Sequence, residues 1–288
     1  MNSTAKTKTK RRFRARAGVI PGRGLTLGIT IAMLSLLILI PLASILAYSF
    51  HLSWAEFWEV VTRSNVLRAF RTSIVCSVVA ALINCVFGTI LAWILVRYDF
   101  PGKRIMDAMI ELPFALPTAV AGITLSRMYS TQGILGQFFD NFGIRISYTQ
   151  IGIVIALIFV GIPFVVRALQ PVIEKLPASF EEASTMLGAK KVYTFWRVIF
   201  PELTPALLTG FGLALARGIG EYGSVIYISG NSEKNGTQVV SYIIMQKLNS
   251  GSADYEGAAA IALILLIISF VLLFAINMVQ VAASRRTK

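Results

Sequence analysis

Three stretches of this sequence carry no charge over more residues than a helix needs to cross a bilayer: Leu25 to Phe50, Thr72 to Val96 and Gly257 to Ala283. Roughly 20 apolar residues span the hydrocarbon core, and lipid offers the backbone no partners, so each stretch must close its hydrogen bonds internally as a helix. Only 14% of the 288 residues are charged and 56% are hydrophobic, which reads as an all-α integral membrane protein. Six transmembrane helices are predicted, at 25–49, 70–96, 105–128, 148–170, 200–228 and 257–281. A basic tail at 1–24 precedes them and a short basic piece at 282–288 follows. The loops between them are too short for an independent domain.

The net charge of +13 would suit a nucleic-acid binder, but its distribution argues for topology. An even number of spans puts both termini on one side. That side collects the tail from Lys6 to Arg23, then Arg97, Lys103, Arg104, Lys175, Lys190, Lys191, Arg197, Arg285, Arg286 and Lys288. The opposite loops hold only Arg63, Arg68, Arg145, Lys234 and Lys247. The positive-inside rule therefore predicts cytoplasmic termini, with the 179–201 loop on the same side. A basic segment ahead of an apolar one also opens a secretory signal. Here the apolar core is too long and no small-x-small cleavage site follows, so a retained first span behind a disordered, lipid-attracted tail is expected. Cys76 and Cys85 lie ~13 Å apart along one helix, too far for a disulfide, and are assigned to packing.

Spans one, two and six are uniform, whereas three to five are interrupted. Pro113 and Pro117 fall in the third, Gly161 and Pro163 in the fourth, and Pro205, Gly210, Gly212, Gly218 and Gly220 in the fifth. Proline removes a backbone bond that lipid cannot replace, so such helices belong beside protein or a water-filled cavity. Pro113 and Pro117 are accordingly candidates for a pore or gate, with close helix packing through small residues as the alternative reading of the glycines. Arg217 and Glu221 lie four residues apart on span five and can pair. Either Arg217 faces the pore and offsets the charge of a passing anion, or the two form a structural ion pair. Asp107 and Glu111 are expected to pair with Lys103 and Arg104, and Arg127 and Arg167 to snorkel from the span ends.

The 179–201 loop, SFEEASTMLGAKKVYTFWRVIFP, is unlike a plain connection. Ser179 and Glu182 have capping-box spacing, Glu181 and Glu182 suit the positive end of a helix dipole, and Gly188 can end the helix in a left-handed turn. A separate helix of about three turns is predicted, exposed for docking. No catalytic constellation accompanies it. His51 is the sole histidine, no metal-spaced Cys/His set occurs, and there is no G-x-x-x-x-G-K-[ST] phosphate loop. The chain is therefore not expected to be an enzyme or to hold a cofactor or metal of its own.

Glu182-Ala183-Ser184, three residues, Gly188, nine residues, then Val198-Ile199-Phe200-Pro201 resembles the EAA loop of permease subunits of bacterial binding-protein-dependent ABC importers. That pattern reads Glu-Ala-Ala, three residues, Gly, nine residues, Ile, any residue, Leu-Pro; Ser184, Val198 and Phe200 depart from it conservatively. The resemblance runs over roughly Arg68 to Asn277, within an expected permease core at 68–281. Two strings, Glu111 to Gly122 and Gly218 to Asn231, are similar to the sulfate/thiosulfate permease branch of the CysT type. The resemblance implies the type I importer architecture in a bacterial inner membrane, with the 179–188 segment as a coupling helix seated in an ATPase groove. Glu181, Glu182, Ala183, Ser184, Gly188 and Pro201 would make that coupling site. It further implies a second, related permease, two ATPase subunits that bind ATP and Mg, and an extracytoplasmic oxyanion-binding protein. Sulfate or thiosulfate is the implied cargo, with molybdate or tungstate as the alternative. An ion-coupled secondary transporter is the rival from another class, disfavoured by the separate docking helix and the absence of an inverted repeat.

Overall fold

The computed structural model of the protein describes residues 23–177 and 179–286. The basic tail up to residue 22, and with it the expected disorder there, lies outside the described residues, as do 287–288. Among the described residues every regular element is helical. The chain divides into two units, Met1–Ser44 and Ile45–Lys288.

Five helical stretches are long and apolar enough to cross a membrane: Gly24–Ser49, Ser64–Arg97, Gln150–Lys175, Lys191–Ile219 and Tyr255–Ala283. The sixth predicted span is a bent pair, Lys103–Ala115 and Thr118–Met128, which turns through 113°. Pro117 causes the turn. Leu116, the residue before it, is driven out of the helical region to φ −86°, ψ 137°, and Pro117 caps the second piece.

Span five also departs from expectation. In place of a single helix over 200–228, the described helix stops at Ile219, and a separate short helix, Gly223–Ser229, follows. The restart has a specific cause. Glu221 reaches forward with its carboxylate to accept hydrogen bonds from the Ser224 amide and hydroxyl at 2.8 and 2.9 Å.

Two π-helical turns, Ser35–Leu39 and Phe195–Ile199, each stand just ahead of a proline, Pro41 and Pro201. A proline crowds the carbonyl four residues before it. Widening the preceding turn makes room, and the Ile40 and Phe200 amides donate to the carbonyls of Ser35 and Phe195 instead.

In the larger unit the core forms where Ser64–Arg97, Gln150–Lys175 and Phe200–Ile219 pack together around Val165, Leu169, Ile173, Leu203 and Leu215. Small residues bring these backbones close. A β-carbon on Gly210 would stand 2.8 Å from the Val165 α-carbon, so this glycine serves packing. A second cluster joins Trp54–Thr62 and Val240–Leu248 to the start of Tyr255–Arg286.

Candidate functional site

The segment after Gln150–Lys175 forms the helix Ser179–Met186, two turns rather than the expected three. Ser179 is its first residue, one step inside the position a capping box requires, which corrects that part of the sequence reading. The other end is a complete Schellman motif. The Ala189 amide donates to the Ser184 carbonyl at 3.1 Å and the Gly188 amide to Thr185 at 2.9 Å, with Gly188 at φ +77°.

Two contacts fix this helix to the spans. Arg97, at the end of the Ser64–Arg97 helix, pairs with Glu181 at 3.2 Å and donates to the Leu176 carbonyl at 3.1 Å. Its guanidinium lies over Trp93, 5.3 Å from the ring centre. On the other side the Ser184 and Thr194 hydroxyls hydrogen-bond at 2.7 Å, tying the helix to the start of span five. Ser184 is buried, while Glu182 and Ala183 are exposed. Met186 and Leu187 stand almost free at 90% and 88% exposure, beside exposed Val192, Tyr193 and Trp196. Pro201 follows the π turn that leads into span five. A cavity of about 490 Å³ lies between this loop and the Ser64–Arg97 helix, lined in part by Trp93, Glu181, Thr194 and Phe195.

A separate set of contacts joins the broken spans. Thr118–Met128 packs on Gly223–Ser229, and Gly122 meets the Ser224 backbone so closely that a β-carbon would collide with it. Arg217 and Glu221 do form an ion pair. They are not, however, on one continuous helix, and only Arg217 reaches outward: Glu221 is 2% exposed. The Ser241 hydroxyl donates to the Glu221 carbonyl at 2.8 Å, so this residue ties together three elements. Pro113 is buried beside Phe114, whose ring meets Phe164 at 5.1 Å, and Pro117 is exposed at the bend.

Asp107 and Glu111 do not pair with Lys103 and Arg104. Both hold Arg167, at 2.8 and 2.6 Å, and Gln170 accepts from the same guanidinium. Arg167 is thus a clasp between Lys103–Ala115 and Gln150–Lys175 rather than a snorkelling residue, and Lys103 turns to Asp99 at 2.9 Å. Sequence distance misled here, since the true partner lies some 60 positions away. Among the described residues no group of three or more His, Cys, Asp or Glu is placed to hold a metal.

Helices long and apolar enough to cross a membrane, two of them broken where they pack on each other, and a short helix with an exposed apolar end define an integral membrane protein. The same fold occurs in the bacterial ABC transporter that imports the polysaccharide alginate, with a TM-score of 0.74 at 15% identity, covering 92% of this chain and 96% of that one. The methionine ABC transporter MetNI also matches, at a TM-score of 0.56 and 16% identity, over 81% of this chain and 99% of the other. Residues 84–288 match the model of the binding-protein-dependent transport system inner membrane component, and the chain belongs to that family. Among its relatives is the sulfate transport system permease protein CysT of Salmonella typhimurium, 44% identical over 93% of this chain and 96% of the relative. The protein of that name from Synechocystis is 42% identical over 88% of this chain and 87% of its own length.

Proposed function

We propose that this chain is one of two membrane-spanning permease subunits of an ATP-driven importer that carries sulfate or thiosulfate into the cytoplasm. The observation that carries the cargo is the 44% identity, over nearly the full length of both chains, to a protein named as a sulfate permease. The relatives' names favour sulfate over the molybdate or tungstate alternative. Partners in this reading are a related permease, two ATPase subunits that bind ATP and Mg, and an external oxyanion-binding protein. The chain sits in the inner membrane with both termini cytoplasmic, which the basic residues near Ser179–Met186 support.

Coupling follows from how Ser179–Met186 is held. A helix seated in a groove is a recurrent recognition mode, and Met186 and Leu187 offer the apolar anchors. When the groove moves, Arg97–Glu181 passes the displacement to span two and Ser184–Thr194 passes it to span five. Span five carries Arg217 and leads through Glu221 to Gly223–Ser229, which packs on the second half of span three. Pro113, Pro117, Arg217 and Glu221 are therefore assigned to the gate that the ATPase works. A cysteine placed by Met186→Cys, in a chain lacking Cys76 and Cys85, is expected to cross-link to the ATPase subunit of the assembled complex. Cross-linking confined to lipid or to the other permease would contradict the docking assignment.

A further inference from the structure

Arg127 stands in the last turn of Thr118–Met128, at the end away from the Pro117 bend. Its guanidinium has no hydrogen bond or ion pair among the described residues, whereas Arg167 and Arg217 each hold a carboxylate. With Ile123, Ser126, Ser130, Tyr148 and Tyr227 it lines an open cleft of about 280 Å³ in which Arg127, Tyr148 and Tyr227 are exposed, and no acidic residue contributes to that lining. The hydroxyls of Ser126, Tyr148 and Tyr227 are likewise without partners among the described residues. One cation and three idle donors thus face a single space.

The walls of this space are fixed. Tyr148 is held at φ +64°, a conformation that a non-glycine residue adopts only under constraint. Its amide donates to the Ile228 carbonyl at 2.8 Å, and its ring lies over Gly230. The Ser147 hydroxyl donates to the Ser126 carbonyl at 3.0 Å, which ties the loop to the helix that carries Arg127. The close contact of Gly122 with Ser224 sets how near the helices that carry Arg127 and Tyr227 approach each other.

We infer that Arg127, with Ser126, Tyr148 and Tyr227, forms a transit site for a tetrahedral oxyanion at the outer end of the broken third span. The inference rests on the cargo and orientation proposed above. A guanidinium fork matches tetrahedral oxyanions in two-point hydrogen bonds, and hydroxyls replace part of the hydration that a dianion leaves behind. The cleft has room for such an ion with several waters, each of which takes about 30 Å³. Weak retention suits a transport path, where an ion must leave as readily as it enters.

The test is uptake of radiolabelled sulfate by the whole complex in proteoliposomes with its binding protein, normalised to inserted complex and read beside ATP hydrolysis. Arg127→Gln is expected to lower uptake about tenfold, the loss of one hydrogen bond from a charged group, with ATP hydrolysis largely retained. Arg127→Lys, which keeps the charge but loses the fork, should fall between wild type and Arg127→Gln, and Tyr227→Phe, which removes a single hydroxyl, should give a smaller loss than Arg127→Gln. Wild-type uptake in Arg127→Gln overturns the site. So does a loss explained wholly by less inserted complex, the sign of a guanidinium that anchors a lipid phosphate. Absence of sulfate uptake by the wild-type complex would instead remove the cargo assignment on which the site depends.

Discussion

At Gly188 backbone conformation, rather than space, restricts the side chain. No atom lies within 4 Å of where a β-carbon would be, yet φ is +77°. An L-residue there costs about 1–2 kcal/mol, and a β-branched one is worse placed still. Gly188→Val should therefore tilt or fray Ser179–Met186 and uncouple ATP hydrolysis from substrate, with membrane insertion unchanged. Gly188→Asn, which tolerates the left-handed region, should retain much of the coupling; equal loss in both variants of the purified complex would contradict this. Glu221 calls for a different kind of test. Charge exchange with Arg217 is not expected to restore function, because an arginine at position 221 cannot accept the bonds from Ser224. Glu221→Gln keeps an acceptor for Ser224 and removes only the charge, whereas Glu221→Ala strips both. The alanine variant should lose about 3 kcal/mol of stability and the glutamine variant clearly less, read as thermal unfolding in detergent. Equal losses would mean that the charge alone matters.

Helix ends decide several elements, and they show what could be read from the sequence and what could not. The spans were legible because lipid leaves an apolar run few alternatives. Capping was not. Ser179 and Glu182 have the right spacing without forming the box, while Ser53 and Glu56 form a complete one at the start of Trp54–Thr62. The same spacing gives different outcomes at the two sites, because spacing alone does not set the residue at which a helix begins. The terminal span starts at Asp254, whose carboxylate accepts from the Gly257 amide at 2.7 Å and from Lys247 at 2.6 Å. Burial pushes the Asp254 pKa up, but Lys247 and the Gly257 amide outweigh it and hold the carboxyl below its ordinary 3.8. The contribution is therefore complete above 3.8, the unfolded value, and fades as the pH falls through the lower folded value. Asp254→Ala should cost about 1 kcal/mol near neutral pH, the value of a helix cap, and the difference from wild type should shrink in strong acid. Thermal unfolding across that range checks it; a gap that widens in acid would contradict the assignment.

Across the whole molecule, the left-handed turn at Gly188 and the break at Pro117 were readable because each rests on local spacing, whereas Pro163 and Pro205, expected to interrupt their spans, lie inside unbroken helices. The break after Ile219, the Arg167 clasp and the surroundings of Arg127 were not readable, since each joins residues from distant parts of the chain. Arg127 read as a span-end residue until Tyr148 and Tyr227 stood beside it. The result is a bundle in which one projecting helix is connected through Arg97, Ser184 and span five to the two broken spans. The proposed function requires an ATPase to drive that arrangement. The most direct measurement is sulfate uptake into proteoliposomes that contain this chain with its related permease and ATPase subunits and receive the binding protein outside. Uptake is expected to require hydrolysable ATP inside and to stop when a non-hydrolysable analogue replaces it. Uptake driven by a proton or sodium gradient, without the ATPase subunits, would contradict the proposed function.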